Sequence, residues 1–268
     1  MTAVVLTLKA DPGLPVDMTG VVPAALAGLP EGTAAAIPLR VGNREVPLGE
    51  LFGVRAGDEP DLVVEGATRR LDKLGTGMVL GRLDVRGDAG AYLGLGLSGG
   101  RIALSGSAGD FAGAAMRDGL ITVAGDAGAF LGGPLPGDPH GMAGGAILVA
   151  GSVGDRAGDR MRRGTMVVGG SAGAWLASRL IGGTIVLGGA CGPWPGYGMH
   201  RGTVLLVQAP AEPPATFADN GTHDLPWLAL LDRHLAALGW QGVRPTRRVR
   251  RLTGDVTAGG KGEMLIAA

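Results

Sequence analysis

The sequence is poor in cysteine, in histidine and in long apolar runs, and each shortage excludes a class of protein. Its single cysteine, Cys191, cannot by itself form an internal disulfide, a cysteine-based zinc site or an iron–sulfur cluster. The four histidines lack the spacing of a metal site such as His-x-x-x-His. No apolar run reaches the roughly 18 residues that a membrane-spanning helix needs. We therefore predict a chain with no metal site and no membrane contact.

Charge of either sign is not in excess. The chain has 24 basic and 24 acidic residues and a net charge of zero, so no overall field attracts nucleic acid or an acidic membrane. The segment MTAVVLTLKADPG, residues 1–13, lacks the basic start and the apolar core of a signal peptide. These features predict a cytoplasmic protein that does not bind nucleic acid.

Glycine, by contrast, is abundant and regularly spaced. It makes up 52 of the 268 residues, against an ordinary share of about 7%. The chain is also 46% apolar and lacks a three-residue glycine period, which excludes a disordered chain and a collagen. Seven glycines recur at 19-residue intervals, with one interval of 26 caused by an insert at residues 133–140: Gly81, Gly100, Gly119, Gly145, Gly164, Gly183 and Gly202. They mark an internal repeat.

Other positions of the repeat are equally regular. Apolar residues stand two and four residues after each first glycine, as in RIALSG and LITVAG, which is the alternation of a strand with one buried face. A second glycine stands nine residues after the first, where a turn needs positive φ or the close approach of a neighbouring coil. These predicted structural turn glycines are Gly90, Gly109, Gly128, Gly154, Gly173 and Gly192.

Stacked copies of such a unit bury their apolar faces against one another. Coils of 19 residues that rise about 4.8 Å each predict an all-β fold, a right-handed parallel β-helix solenoid, over residues 62–208. Residues 1–61 are expected to form a small α/β cap. Residues 209–268 are expected to form a helix that lies as a lid over the last coil, with Asp224 as its N-cap, and a basic tail, RPTRRVRR. Docking of this tail to a partner is favoured over nucleic-acid binding.

The segment CGPWPGYGMHRG, residues 191–202, places a thiol near His200 and so has the look of an active site. However, Cys191 occupies a repeat position that is otherwise filled by small apolar residues: Ala89, Ala108, Ala127, Val153 and Ala172. Trp194 likewise belongs to a mostly aromatic position: Tyr92, Phe111, Phe130, Arg156 and Trp175. We therefore predict a structural Cys191 and no catalytic residue on this chain.

Arginines gather shortly before the first glycine of several repeats, where stacked coils would align them along one edge. They are Arg117, Arg160, Arg162, Arg163, Arg179 and Arg201. Two readings stay open: a solvated corner that tolerates arginine, or a surface that binds the polyanionic tail of a carrier or an acidic partner.

The repeat pattern GxIxVxGxxGxxxGxxMxxG resembles a glycine-repeat β-helix that is known at the C-terminus of glutamate synthase and as the C subunit of formylmethanofuran dehydrogenase. Three features outside the repeat favour the second: RLDKLGTGM at residues 70–78, IPLRVGN with PLGELF near the N-terminus, and GKGEMLI at residues 260–266. The resemblance covers nearly the whole chain and leaves no room for a glutamate synthase catalytic core.

The resemblance implies a non-catalytic scaffold subunit of an enzyme complex that handles formyl groups on a furan-type C1 carrier. No cofactor is then expected on this chain; the carrier and the catalytic metal belong to sister subunits, namely an amidohydrolase-like subunit, a formyltransferase subunit and a further B-like chain. The excess of arginine over lysine, 21 against 3, suggests a GC-rich bacterial genome. It favours the bacterial formyltransferase/hydrolase complex of tetrahydromethanopterin-linked C1 metabolism in methylotrophs. A molybdenum or tungsten formylmethanofuran dehydrogenase, or a glutamate synthase-type protein, is the alternative.

Overall fold

The computed structural model describes residues 2–268, and most of its secondary structure is β-strand. In chain order the strands are β1 (Val4–Leu8), β2 (Val16–Asp17), β3 (Pro38–Val41), β4 (Arg44–Pro47), β5 (Phe52–Arg55), β6 (Asp61–Ala67), β7 (Leu71–Asp72), β8 (Arg82–Gly87), β9 (Ser98–Leu104), β10 (Asp118–Val123), β11 (Ala146–Val149), β12 (Thr165–Val168), β13 (Thr184–Leu187), β14 (Arg201–Leu206), β15 (Ala218–Asp224), β16 (Arg248–Gly254) and β17 (Lys261–Ala267). The helices are α1 (Pro23–Leu26), α2 (Glu31–Ala35), α3 (Leu48–Leu51) and α4 (Leu228–Ala237), and a single 3₁₀ turn spans Val256–Ala258.

One 13-stranded sheet organises the molecule, in the order β15-β16-β17-β14-β13-β12-β11-β10-β9-β8-β6-β1-β5. Strands β8 to β14 each pair in parallel with the next, and the predicted repeat register is confirmed residue by residue. The residue two after each first glycine aligns along the row Leu83, Ile102, Ile121, Ile147, Met166, Ile185 and Val204. The chain therefore returns to the same place in the sheet once per repeat.

The 26-residue interval does not disturb this register. Ile121 still pairs with Ile147 across it, and the extra residues leave the sheet as an exposed loop around residues 136–140. Arg160 Nη1 donates a hydrogen bond to the carbonyl oxygen of Asp138 (3.1 Å), which ties the loop to the following repeat. The insert is thus an addition to one turn.

The inner side chains of the strands form one continuous core. Leu83, Ile121, Ile147 and Ile185 are fully buried, and so are the methionines and leucines that precede each first glycine. Burial of this apolar surface is the main favourable contribution to folding, at about 25 cal/mol for each Å² removed from water.

The N-terminal segment extends the core. The predicted strand VVLTL is β1, which pairs in parallel with β6 and antiparallel with β5. The predicted helix near VVPAALAG is the short helix α1. A separate four-stranded sheet, β4-β3-β2-β7, packs with these elements through fully buried Val16, Leu39 and Leu71. Strand β6 pairs in parallel with β8, so residues 61–67 already follow the pattern of the repeats.

The C-terminal segment differs from the sequence prediction. Helix α4 is not a lid over the last coil: its Leu228, Leu231 and Leu235 pack on outward-facing residues of the sheet, including Val186 and Leu205. This outer face is apolar in strands β11 to β14, so it would be exposed to water unless another element packed on it. The last repeat is instead followed by β17, parallel to β14, and by the antiparallel strands β16 and β15.

One further expectation for this segment is wrong. Asp224 is the last residue of β15 and does not cap α4, whose N-cap position is Trp227 without a side-chain hydrogen bond. The docking of the basic tail stays a prediction; four of its five arginines form ion pairs within the chain: Arg244–Asp232, Arg247–Asp224, Arg250–Asp219 and Arg251–Glu263. Opposite charges inside the C-terminal segment hold its strands and helix together.

Candidate functional site

The aromatic position of the repeat forms a continuous stack along the molecule. Tyr92 lies 5.2 Å from Phe111 and Phe111 lies 4.8 Å from Phe130, ring centre to ring centre. The Arg156 guanidinium continues the stack between Phe130 (5.9 Å) and Trp175 (4.7 Å). Trp175 and Trp194 stack at 5.0 Å. The ladder that the sequence predicts is confirmed, and its one arginine takes part in it as a planar cation.

All six residues of this stack adopt positive φ, between 57° and 64°. The left-handed conformation costs a non-glycine residue roughly 1–2 kcal/mol. A stacked aromatic pair contributes about 0.5–1.5 kcal/mol beyond its buried area, which offsets much of that cost. Side-chain stacking therefore stabilises a positive-φ turn at a position where glycine would adopt the same conformation without the steric cost.

The six predicted turn glycines are needed for the close approach of a neighbouring coil and not for positive φ. None of them has positive φ, but each lies against the preceding coil. A Cβ added at Gly109 would lie 2.7 Å from the carbonyl carbon of Gly90, and one at Gly154 would lie 2.7 Å from the backbone nitrogen of Ala129. These glycines permit close packing of neighbouring backbones.

A ladder of acidic and hydroxyl side chains accompanies these glycines, and the sequence reasoning missed it. Each side chain accepts a hydrogen bond from a backbone N–H of the next repeat, as when Asp72 accepts from Ala91, Asp110 from Ala129 and Asp155 from Ala174, all at 2.8 Å. A parallel row joins Asp88, Ser107, Asp126, Ser152 and Ser171 in the same manner. The aspartates were visible in the repeat alignment, and their role is structural.

Cys191 is placed as the repeat predicts. It forms a parallel bridge with Ala172 and packs against the main core. Burial raises the pKa of its thiol to about 11, so the thiolate is scarce at neutral pH. Among the described residues no hydrogen bond joins Cys191 to His200, which is exposed. The buried, protonated thiol fits the predicted structural role of Cys191.

The six predicted arginines all belong to the short segment before the first glycine of a repeat, which we call the corner, and their contacts divide them into two groups. Arg179 forms a bidentate ion pair with buried Asp159, which also accepts from the hydroxyl of Ser178, and Arg160 holds the insert. The remaining four are exposed, and within residues 2–268 no ion pair is found for them: Arg117, Arg162, Arg163 and Arg201. His200 and Lys261 lie on the same corner, since Lys261 pairs with Arg201 in the sheet.

A groove lies at the C-terminal end of the repeats. Its walls come from the last turn, Cys191–Tyr197, and from the proline-rich segment 210–216, and its volume is about 580 Å³. Trp194 and Tyr197 border it with 57% and 62% of their surfaces exposed. Groups of histidine, cysteine and carboxylate residues that could hold a metal ion are not found anywhere in the described part of the chain. Nor does any helix of residues 2–268 have the length and apolarity to cross a membrane.

Comparison with known proteins identifies relatives of the repeat and of the whole chain. Residues 72–219, more than half of the chain, match the GXGXG motif family. The chain is 40% identical over 88 residues to the Fhc C subunit of the formyltransferase/hydrolase complex of Methylorubrum extorquens, with 33% of each protein covered. It is 28% identical over 95 residues to the C subunit of tungsten-containing formylmethanofuran dehydrogenase 2 of Methanococcus maripaludis, with 35% of each covered. The aligned part thus spans about a third of these curated relatives.

A solved structure is similar over the full length. The crystal structure of the formyltransferase/hydrolase complex FhcABCD from Methylorubrum extorquens, in complex with methylofuran, contains a chain that superposes with a TM-score of 0.92. The two chains are 39% identical, and the match covers 98% of this chain and 99% of that one. The likeness therefore includes the N-terminal and C-terminal segments as well as the repeats.

Proposed function

The chain belongs to the GXGXG motif family, and we propose that it is the C subunit of a formyltransferase/hydrolase complex, in which it acts as a scaffold. The observation that carries this proposal is the full-length similarity to a chain of the FhcABCD complex, at 39% identity. The site geometry supports it, because the repeat-borne cysteine, aspartates and aromatic residues all have structural roles in the fold.

In this proposal the reactions take place on other subunits. The partners are an amidohydrolase-like subunit, a formyltransferase subunit and a B-like chain, and they carry the furan-type C1 carrier and the catalytic metal. The complex transfers a formyl group to the carrier. It then hydrolyses the formylated carrier, which releases formate, in the cytoplasm. The repeats wind as a right-handed parallel β-helix, in keeping with the usual hand of parallel crossovers.

Purification from the native source tests the proposal. A tagged chain is expected to co-purify with the three sister subunits and with formyl hydrolase activity, whereas the chain produced alone should have none. Turnover by the isolated chain, or a native protein without partners, would contradict the scaffold role. Isolation of a tungsten- or molybdenum-containing partner would favour the second candidate, a formylmethanofuran dehydrogenase, for which the 28% identical relative from Methanococcus maripaludis is the supporting observation.

The exposed corner arginines are proposed as a contact surface of this scaffold for the acidic tail of the carrier or for an acidic partner. The support is their lack of carboxylate partners, in a chain where ten other basic residues are paired. Joint replacement of Arg162 and Arg163 by alanine should lower carrier retention by the complex without unfolding the chain. The matched control replaces Arg40 and Arg44, which are exposed on the N-terminal sheet. Equal retention in both variants would refute the contact.

A further inference from the structure

The aromatic stack ends in an incomplete position. Every ring from Phe111 to Trp175 has a planar group on both faces, at 4.7–5.9 Å. Among the described residues Trp194 has a stacking partner on one face only, Trp175, and 57% of its surface is exposed. Two glycines of the same turn do have partners in the C-terminal segment: a Cβ at Gly196 would meet the ring of Phe217 at 2.9 Å, and the amide of Gly198 donates to Asp255 (3.0 Å).

The space beside Trp194 is the groove between the last turn and the proline-rich segment. Pro210, Pro213 and Pro214 form part of its far wall, so the wall is stiff and lacks backbone donors at those positions. The groove is present in the free chain, and a group that enters it meets both Trp194 and this wall. Tyr197, at 62% exposure, lies at its border.

Two observations decide which flat group fits. The stack itself already accepts a guanidinium, since Arg156 occupies the fourth position between two aromatic rings. The groove also contains Glu212, which is exposed and has no ion-pair or hydrogen-bond partner among residues 2–268. A carboxylate and an unstacked indole face that border the same groove complement a planar cation, which can stack on the ring and pair with both carboxylate oxygens.

We propose that an arginine side chain of a sister subunit occupies this groove, stacking on Trp194 and pairing with Glu212. The inference rests on the proposed scaffold function, and it names one docking point at the C-terminal end of the repeats. Exposed tryptophan and tyrosine beside a pocket are the residues that most often dominate the binding energy of a protein interface. An arginine is better suited than a lysine, because its flat group both stacks and forms two parallel hydrogen bonds.

The first test changes the charge without touching the stack. Glu212→Gln in the assembled complex is expected to weaken binding of this chain to its sister subunits by about tenfold, measured by titration of separated subunits. Since Glu212 is exposed and unpaired in the free chain, the melting temperature of the isolated variant should not change. The matched control is Glu45→Gln, an exposed carboxylate on β4 of the N-terminal sheet, which should bind as the unchanged chain does.

The second test identifies the occupant. A benzophenone amino acid introduced in place of Tyr197 should cross-link, on illumination of the intact complex, to an arginine-containing segment of a sister subunit. Cross-linking to a second copy of this chain, to a segment without arginine, or to no protein would overturn the inference, as would equal affinities of the Glu212→Gln and Glu45→Gln variants. These failures differ from failure of the proposed function, in which the unchanged chain would form no complex at all.

Discussion

At the scale of single residues, the glycines of the repeat meet two needs, positive φ and the close approach of neighbouring backbones, and only some of them meet both. Positive φ is found at the first glycine of each repeat, but also at Phe111, Arg156 and Trp194, which carry full side chains. Close approach is required in both columns: a Cβ at Gly100, which has positive φ, would lie 2.6 Å from the oxygen of Gly81, and one at Gly109, which has ordinary φ, would lie 2.7 Å from the carbonyl carbon of Gly90. The glycine columns of the sequence therefore mark two different constraints, and only one of them concerns backbone conformation.

Gly109→Ala tests the close-approach role. Its new Cβ would lie 2.7 Å from the carbonyl carbon of Gly90 and 2.8 Å from the nitrogen of Ala91, so the neighbouring coil must move. We expect a loss of about 1–3 kcal/mol in the free energy of unfolding, measured by urea denaturation. Gly32→Ala in α2 is the control, because its Cβ would meet nothing within 4 Å and its stability should be unchanged or slightly higher. Equal stabilities would mean that the coils are not tightly packed at Gly109.

Cys191→Ala tests the structural reading of the thiol. The equivalent residue of the preceding repeat, Ala172, is already alanine, so the free energy of unfolding should change by less than about 1 kcal/mol and complex activity should persist. Because burial raises the thiol pKa to about 11, a thiol reagent at neutral pH should label the native chain slowly and the unfolded chain fast. Rapid labelling of the native protein, or loss of activity in the variant, would instead assign chemistry to this residue.

The sequence predicts residue roles well wherever the repeat supplies comparisons. Cys191 and Trp194 could be assigned because five other repeats show what their positions require. The hydrogen bonds of Asp110 and Asp155 were not predicted, although both occupy one column, since an aspartate in a turn has many local uses. Only the stacking of neighbouring coils shows that their acceptors reach the next repeat.

At the scale of elements, prediction was weakest where a segment has no repeated counterpart. The leucine spacing of α4 shows that one face is buried, but not against which surface. The apolar outer residues Leu148, Val167 and Val186 were a signal that the sheet needs a second cover, since strands with only one buried face alternate with polar residues. The pairing of Arg250 with Asp219 depends on a strand order that local patterns do not contain.

Asp255 follows strand β16 and links the C-terminal strands to the last repeat through Gly198. Its ionisation should therefore contribute to the free energy of unfolding. It is 2% exposed and accepts hydrogen bonds from Gly198 N (3.0 Å), Thr257 N (2.9 Å) and Thr257 Oγ1 (2.6 Å). Burial favours the neutral acid, but these donors outweigh it and lower the pKa below its ordinary value of 3.8. The charged form is therefore the stabilising one.

Asp255→Asn should lower the free energy of unfolding at pH 7 by about 1–3 kcal/mol, because the amide cannot accept the same three bonds with equal strength. A lowered folded-state pKa contributes stability that is complete above the ordinary pKa and is lost as the pH falls through the folded value. The difference between the two proteins, measured by urea unfolding, should thus shrink below pH 3.8. Asp138→Asn in the exposed insert is the control; a pH-independent difference for Asp255 would contradict the charge argument.

At the scale of the whole molecule, the parallel sheet has to be protected at both ends and along its outer face. Strands β1 and β5 lie beyond β6 at one end, and β17, β16 and β15 lie beyond β14 at the other. Helix α4 covers the outer face between them. Because each repeat packs only on its neighbours, the repeats themselves set no end to the sheet. The unrepeated segments end the sheet and cover parts of its surface, so they also determine which surface stays exposed for partners.

Removal of residues 209–268 tests this division of roles. It would leave β14 as an unpaired edge and expose Val204, Leu205 and Leu206, all of them fully buried in the complete chain. An open apolar edge of this kind pairs with other chains, so the shortened protein should form aggregates in size-exclusion chromatography with light scattering. The matched deletion removes residues 134–140 and so restores a 19-residue repeat. Among the described side-chain hydrogen bonds of that loop, it breaks only the one from Arg160 to Asp138. That protein should stay monodisperse, and a monodisperse chain without residues 209–268 would show that the repeats need no cover at this end.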